Sequence, residues 1–299
     1  MPSYPQKPRP TNNLLLEEAR HLRLKKRFSQ HFLIRETVLK AICDLMDLSP
    51  SDQLLEIGPG GGFLTEKLLA TGCQLTAVEL DRRMCKHLRE RFPAGQHPNF
   101  HLVEQDILKF DFESFTTATS KFKVVGNLPY QITSKIMFLL AGELYQAHYP
   151  LRQQITQLTV MVQKEVAERI CAHPGQRAFN PLSIALQYWF EPRFDFVVPA
   201  SDFYPPPKVE SAVVTLFPRP EPLIQVNDLA LLSRLVRTAF AQKRKTIRNA
   251  LMGGSFASGA EIDRIFAQLG IDSNLRAEAI SVITFGELSN AFGSNASQN

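Results

Sequence analysis

A chain of 299 residues, 44% of them hydrophobic, is long enough for one large domain and a smaller one and carries enough apolar surface for a packed core. With 34 Lys and Arg against 29 Asp and Glu, the net charge of +5 permits an anionic partner. The four cysteines (Cys43, Cys73, Cys85 and Cys171) are scattered, which excludes a paired-cysteine zinc or thioredoxin-like site, and no apolar run approaches the roughly 20 residues that span a bilayer.

Residues 1–13 are rich in proline and polar groups and lack the apolar core of a secretory signal. A flexible tail to residue 20 is expected, on a cytoplasmic, monomeric protein with no membrane segment and no metal. A helical stretch begins at about Leu14, followed by the basic run Leu24-Lys25-Lys26-Arg27. Val38, Ile42, Leu45 and Met46 then recur at helical spacing up to the break at Leu48-Ser49-Pro50. From Gln53 onward strand-like runs at 54–57, 75–79, 100–104, 124–126 and 158–163 alternate with helical runs at 63–70, 82–92 and 164–171. That alternation predicts an α/β fold, a parallel sheet with helices on both faces, whose ligands bind beyond the carboxyl ends of the strands. One more strand is expected at 212–216. The proline-rich stretch 217–222 reads as a linker, and 228–251, 259–269 and 277–292 are helical in period. The expected organisation is thus a tail (1–20), a nucleotide-binding α/β domain (21–219) and a smaller all-helical C-terminal domain (220–299).

The first strand runs into Glu56-Ile57-Gly58-Pro59-Gly60-Gly61-Gly62-Phe63. Glycines let the backbone turn sharply and let a ligand touch the main chain. Phe63 stands where a dinucleotide loop needs its last glycine, and the Gly-Lys-Ser/Thr of a phosphate loop is missing, so a cofactor without phosphates is favoured. Glu79 ends the second strand roughly 20 residues beyond the loop, where an acid grips ribose hydroxyls. After the third strand, Asp106 is placed to accept from an adenine amino group while Ile107 packs on the ring. Gly58, Gly60, Glu79, Asp106 and Ile107 together describe a nucleoside cofactor, and S-adenosylmethionine is one. Each feature alone reads as a turn, a helix cap or solvated surface; the ordered set on successive strands is what selects the cofactor site.

At the end of the fourth strand stands Asn127-Leu128-Pro129-Tyr130. In isolation this is a turn sequence. Beside a nucleoside site it offers what methylation of an exocyclic adenine amine needs. The amine lone pair is delocalised into the ring, so holding both N–H groups frees it. The Asn127 side-chain oxygen can accept one hydrogen and the Leu128 carbonyl the other, with Pro129 biasing Leu128 to an extended conformation. Tyr130 can stack on the base, and Phe203, in the stiff loop Phe203-Tyr204-Pro205-Pro206-Pro207, can close its other face.

Together with Phe28-Ser29-Gln30-His31-Phe32-Leu33 and Lys208-Val209-Glu210-Ser211, these motifs resemble the ribosomal RNA small-subunit adenine dimethyltransferases, the KsgA/RsmA family, from about Arg27 to near Phe292. The resemblance implies a Rossmann-like S-adenosylmethionine methyltransferase sheet. It also implies N6,N6-dimethylation of two adjacent adenosines in the hairpin loop near the 3' end of 16S rRNA, a role in assembly of the small ribosomal subunit, and S-adenosylhomocysteine as the product. Carried over residue by residue, the cofactor contacts are His31, Leu33, Gly58, Glu79, Asp106 and Asn127. Two positions depart from the commonest pattern. Ser29 stands where many members have glycine, and Gly61-Gly62 replaces bulkier residues; both bear on loop flexibility.

Arg234, Arg237, Lys243, Arg244, Lys245 and Arg248 fall in one predicted helical region with no acid from 229 to 251. In an unknown protein a charge run is usually a solvated face. An enzyme that extracts a base from folded RNA needs phosphate contacts, so these six are the expected RNA-binding residues, with Lys25, Lys26 and Arg27 extending the surface. Two rival readings remain. One is an adenine-N6 methyltransferase of another nucleic acid, DNA or large-subunit RNA. Leu128 after Asn127, in place of an Asp-Pro pair, and the helical C-terminal segments disfavour the DNA version. The other rival is an assembly factor that kept the fold and acts mainly by binding; it predicts damage to the glycine loop, Glu79 or the Asn-Leu-Pro-Tyr set, and none is visible.

Overall fold

The computed structural model describes residues 13–22, 31–115 and 121–296. The chain forms two compact units, one of Met1–Leu140, Pro150–Ala167 and Arg193–Phe217, the other of Ala141–Tyr149, Glu168–Pro192 and Pro218–Asn299. Lys25, Lys26, Arg27 and Ser29 lie outside the described residues.

The strands are β1 (Phe32–Leu33), β2 (Gln53–Ile57), β3 (Gln74–Glu79), β4 (Phe100–Glu104), β5 (Phe122–Asn127), β6 (Ile155–Gln163), β7 (Phe190–Val198), β8 (Phe203–Tyr204) and β9 (Ser211–Pro218). Seven of them form one sheet in the order β4-β3-β2-β5-β6-β9-β7. The pairs β2–β3, β3–β4, β2–β5 and β5–β6 are parallel, and β9 runs antiparallel to β6. Strand order reverses between β2 and β5, which opens a crevice at their carboxyl ends. Ile57 stands opposite Val78 on one side and Gly126 on the other, so the loops after these strands emerge level with one another.

The parallel strands form because their apolar runs are buried: Leu54, Leu55 and Val124 are wholly inaccessible to solvent. Helix Glu36–Met46 lays Val38, Leu39, Ile42 and Met46 on the sheet, the stripe that the 3.6-residue period predicts. Helix Arg82–Arg91 starts where the Asp81 side chain accepts from Arg83 N.

Several elements differ from the sequence expectation. The helical stretch expected from about Leu14 is helix Asn13–His21, with Ala19 wholly buried, and it begins inside the segment assigned to a tail. β1 and β8 make a separate two-stranded sheet, and β7 is an additional strand at the edge of the main sheet, where Pro192 is tolerated. In the second unit the helical region expected at 228–251 is two helices, Leu229–Phe240 and Ile247–Gly253. The break arises because Thr246 caps the second helix, its hydroxyl accepting from Asn249 N, after a turn in which Lys245 N reaches the Gln242 carbonyl. Helices Gly259–Leu269 and Val282–Ala296 follow, the latter preceded by a short 3-10 turn at Ala277–Ala279. The second unit also takes up helix Pro181–Trp189, which starts with a capping box at Asn180.

Candidate active site

The loop after β2 is shaped by glycine. Gly58, Gly60 and Gly62 have φ of 70°, 55° and 79°, a region that side chains disfavour. Gly58 N donates to Val78 O at 3.0 Å, tying the loop to β3. Glu79, at the end of β3, is 8% exposed; one of its carboxylate oxygens accepts from Gly60 N at 3.1 Å and the other from Asp81 N at 2.8 Å. Burial pushes its carboxyl above the usual range, against the pull of those backbone donors. Loop and acid line a cavity of about 390 Å³ that also takes in His31, Leu33, Gly58 and residues 127–130. A Cβ at Gly58, which lines the cavity, would have only the Asn127 carbonyl within 4 Å, at 3.9 Å.

On the other wall, Asn127 closes β5. Its Nδ2 donates to the His31 carbonyl at 3.1 Å, which settles the orientation of the amide, and among the described residues Oδ1 accepts nothing. Leu128 N donates to Met161 O at 3.0 Å, while among the described residues its carbonyl accepts nothing. The next carbonyl, that of Pro129, is taken by Ile132 N and Thr133 Oγ1, each at 3.1 Å. Tyr130 is held through its hydroxyl, 2.7 Å from Ser211 Oγ, and its ring lies 6.2 Å from that of His31 at an interplanar angle of 20°. His31 is itself fixed by donation from Nδ1 to the Pro205 carbonyl at 2.7 Å. The cavity therefore presents two adjacent neutral acceptors, an aromatic ring and a buried carboxylate.

Residues 21–292 match the family described as ribosomal RNA adenine dimethylase. A relative from Synechococcus elongatus named Ribosomal RNA small subunit methyltransferase A is 43% identical over 262 residues, covering 86% of this chain and 91% of its own length. The chain belongs to the ribosomal RNA adenine dimethylase family. A Synechocystis relative of the same name is 40% identical over 280 residues, covering 90% of this chain and 96% of its own. Among solved structures, a dimethyladenosine transferase from Plasmodium falciparum superposes with a TM-score of 0.73 at 26% identity, covering 89% of this chain and 98% of that one. The 23S rRNA methyltransferase ErmE gives a TM-score of 0.68 at 26% identity, over 88% and 99%.

The protein is accordingly an rRNA adenine dimethyltransferase that uses S-adenosylmethionine. When bound, that cofactor supplies an electrophilic methyl group on a sulfonium. The side-chain-free face of Gly58 and the buried Glu79 carboxylate suit an uncharged ribose and a compact nucleoside better than a phosphate.

Asp106, Ile107 and Phe203, also expected in the site, are not among the residues that line the cavity. Asp106 caps a 3-10 turn, its Oδ1 accepting from Leu108 N at 3.0 Å, and Ile107 is buried behind it. Gln105 N donates to Glu79 O at 3.0 Å, so this turn is tied to the end of β3. Phe203 pairs with Leu33 across β1 and β8 and is 2% exposed within the hydrophobic core. The sandwich expected of Phe203 and Tyr130 is therefore not formed here; the ring parallel to Tyr130 is that of His31.

In the second unit Arg234, Arg237, Lys243, Arg244 and Lys245 are exposed, with Arg234 stacked 4.6 Å over the Phe256 ring. Arg248 differs from them: its Nε and Nη2 donate to Asp263 at 2.6 and 2.7 Å. The acid that pairs it comes from the next helix, beyond the acid-free window seen in the sequence.

Glu56 also lines the cavity, and motif reading gave it no role. It is 2% exposed in the middle of β2, accepts from Thr65 Oγ1 at 2.7 Å, and burial pushes its carboxyl up to about 8. The signal available was an acid placed inside an otherwise apolar strand run.

Proposed function

We propose that the protein dimethylates N6 of two adjacent adenosines in the hairpin loop near the 3' end of 16S rRNA, on the small ribosomal subunit and as part of its assembly. The observation that carries this reading is the amide of Asn127. Its nitrogen is committed to the His31 carbonyl, which leaves Oδ1 as an acceptor for the target beside the Leu128 carbonyl, which accepts nothing among the described residues. Those two acceptors take the two N–H groups of the adenine amine and turn its lone pair toward the methyl donor. Tyr130, pinned by Ser211, stacks on the base, which is worth roughly 1–3 kcal/mol.

Neither acceptor takes up a proton, so no side chain serves as general base. Proton loss follows methyl transfer, when the nitrogen has become cationic and acidic. The rate enhancement comes from alignment and preorganised dipoles. His31, Leu33, Gly58, Gly60 and Glu79 hold the cofactor, with Glu79 on the ribose; Asp106, with its second carboxylate oxygen, and Ile107 bound the adenine end. The relatives named for the small subunit support that substrate. Among the described residues no helix is long and apolar enough to cross a membrane, and the reading places the protein in the cytoplasm as a monomer.

The test is labelled methyl transfer to immature small subunits, with large-subunit RNA and free DNA as controls. Wild type is expected to label only the small subunit, at N6 of two neighbouring adenosines by mass analysis, and Asn127→Ala to label none. Equal labelling by wild type and Asn127→Ala would defeat the site assignment, and labelling confined to large-subunit RNA would defeat the substrate.

A further inference from the structure

Gly60, Gly61 and Gly62 follow one another in the cofactor loop, and three successive glycines have more backbone freedom to lose than any other tripeptide. A loop that spends only a fraction of its time in the binding shape weakens its ligand by that fraction. This run is held from its outer side. The Gly61 carbonyl accepts from Arg91 Nη1 at 3.1 Å and meets His87 Nε2 at 3.3 Å. Arg91 is the last residue of helix Arg82–Arg91, and its side chain is 19% exposed. The same guanidinium reaches Glu66 at 2.6 Å, in the first turn of the helix that leaves the loop, and Glu18 at 3.1 Å. It stands 5.3 Å from the centre of the Phe63 ring and 5.5 Å from that of Phe92.

Glu18 belongs to helix Asn13–His21, and that helix is no loose appendage, since Ala19 is wholly buried. Leu22, just beyond it, abuts the loop: a Cβ on Gly61 would lie 2.8 Å from Leu22 Cδ1 and 2.7 Å from Phe63 Cε2. Glu18 and Glu66 are each about half exposed, and ion pairs so exposed add little to global stability. What the planar fork of an arginine does supply is direction, by joining one backbone carbonyl to two separate helices.

We propose that Arg91 is a positioning residue for S-adenosylmethionine binding, acting through the Gly61 carbonyl, and that the N-terminal helix completes the clamp through Glu18 and Leu22. None of the three lines the cavity, so the effect passes through the shape of the loop. The proposal rests on the reading of the glycine loop and Glu79 as the cofactor site.

The test uses the full chain and titrates S-adenosylmethionine into wild type, Arg91→Ala, Arg91→Lys, Glu18→Gln and Glu79→Ala. Arg91→Ala is expected to raise Kd and the cofactor KM about tenfold, the scale set by freeing one backbone residue. It leaves kcat at saturating cofactor and the RNA KM at wild-type values, and it speeds deuterium exchange at the amides of residues 61–63 in the ligand-free protein. Arg91→Lys falls between the two, and Glu18→Gln weakens binding about two- to threefold. If Arg91→Ala binds as wild type while Glu79→Ala has lost binding, the clamp is refuted and the cofactor site stands. If Glu79→Ala also binds as wild type, the site reading fails and the clamp with it. Should Arg91→Ala not fold, Arg91→Lys and Glu18→Gln decide: wild-type Kd in both overturns the proposal.

Discussion

At Asn127 the two ends of one amide do different work. The nitrogen donates to the His31 carbonyl, and among the described residues the oxygen accepts nothing, which under the proposed reading leaves it for the target amine. Removing a preorganised dipole of this kind typically costs 10²–10³ in kcat. Asn127→Ala is expected to lose roughly that much in single-turnover methyl transfer at saturating cofactor and RNA. A loss confined to the RNA KM would instead mean that Asn127 only binds. A different consequence belongs to Glu56, whose carboxyl burial holds near 8 against an ordinary value of 4.5. The folded state then keeps a proton that the unfolded chain gives up as pH rises past 4.5. Its stabilising contribution is complete below that pH, declines from there to about 8 and is flat beyond. Glu56→Gln retains an acceptor for Thr65 and removes the titration, so its melting temperature relative to the ligand-free wild type should climb by several degrees across this window. A difference that does not vary with pH would show that Glu56 is ionised throughout.

Among the elements, β5 carries a constraint that the Asn-Leu-Pro-Tyr motif alone does not reveal. A Cβ on Gly126 would lie 2.6 Å from the Ile57 carbonyl of β2, so the two strands approach as closely as they do only because that residue is glycine. Gly126→Ala is expected to cost roughly 1–3 kcal/mol in urea unfolding, the range for overpacking a tight site. It should also lower methyl transfer more than that loss explains, because Asn127 is the next residue. Unchanged activity in a destabilised variant would mean that β5 yields without moving Asn127. The strands around this point were legible in the sequence because each is a short, largely buried apolar run closed by a polar or glycine residue. β7 was not, since Glu191, Pro192, Arg193 and Asp195 interrupt its aromatic alternation; the sheet edge tolerates the proline, and the buried Asp195 is held by Arg193 and Thr215. The turn at 241–246 was hidden by a helical period that continues on both sides, and its signal was the capping threonine at 246. For the site, the glycine loop, Glu79 and residues 127–130 could be read from residue type and order. The stacking of His31 on Tyr130 and the burial of Phe203 depend on how β1 meets β8, two residues each, which carry no periodic signal.

For the whole molecule, a net charge of +5 says little by itself, and what distinguishes it is where, among the described residues, unpaired cations are exposed. In the second unit Lys243, Arg244 and Lys245 sit on one turn between two helices, exposed, while the Arg248 guanidinium is occupied by both oxygens of Asp263. Cations that replace counterions on phosphates give a binding constant that falls with salt, by roughly 0.7–0.9 log units per log unit of salt for each phosphate neutralised. Changing Lys243, Arg244 and Lys245 together to alanine should therefore weaken binding to a small-subunit RNA fragment and flatten its salt slope by roughly two to three. Arg248→Ala should leave the slope close to that of wild type, because a guanidinium held by a carboxylate releases no counterion when RNA arrives. Filter binding or fluorescence titration at four or five salt concentrations separates the cases. A triple variant with the wild-type slope would remove the turn at 241–246 from the RNA interface. A flattened slope in Arg248→Ala would show that RNA displaces Asp263 and recruits the arginine the ion pair had withheld.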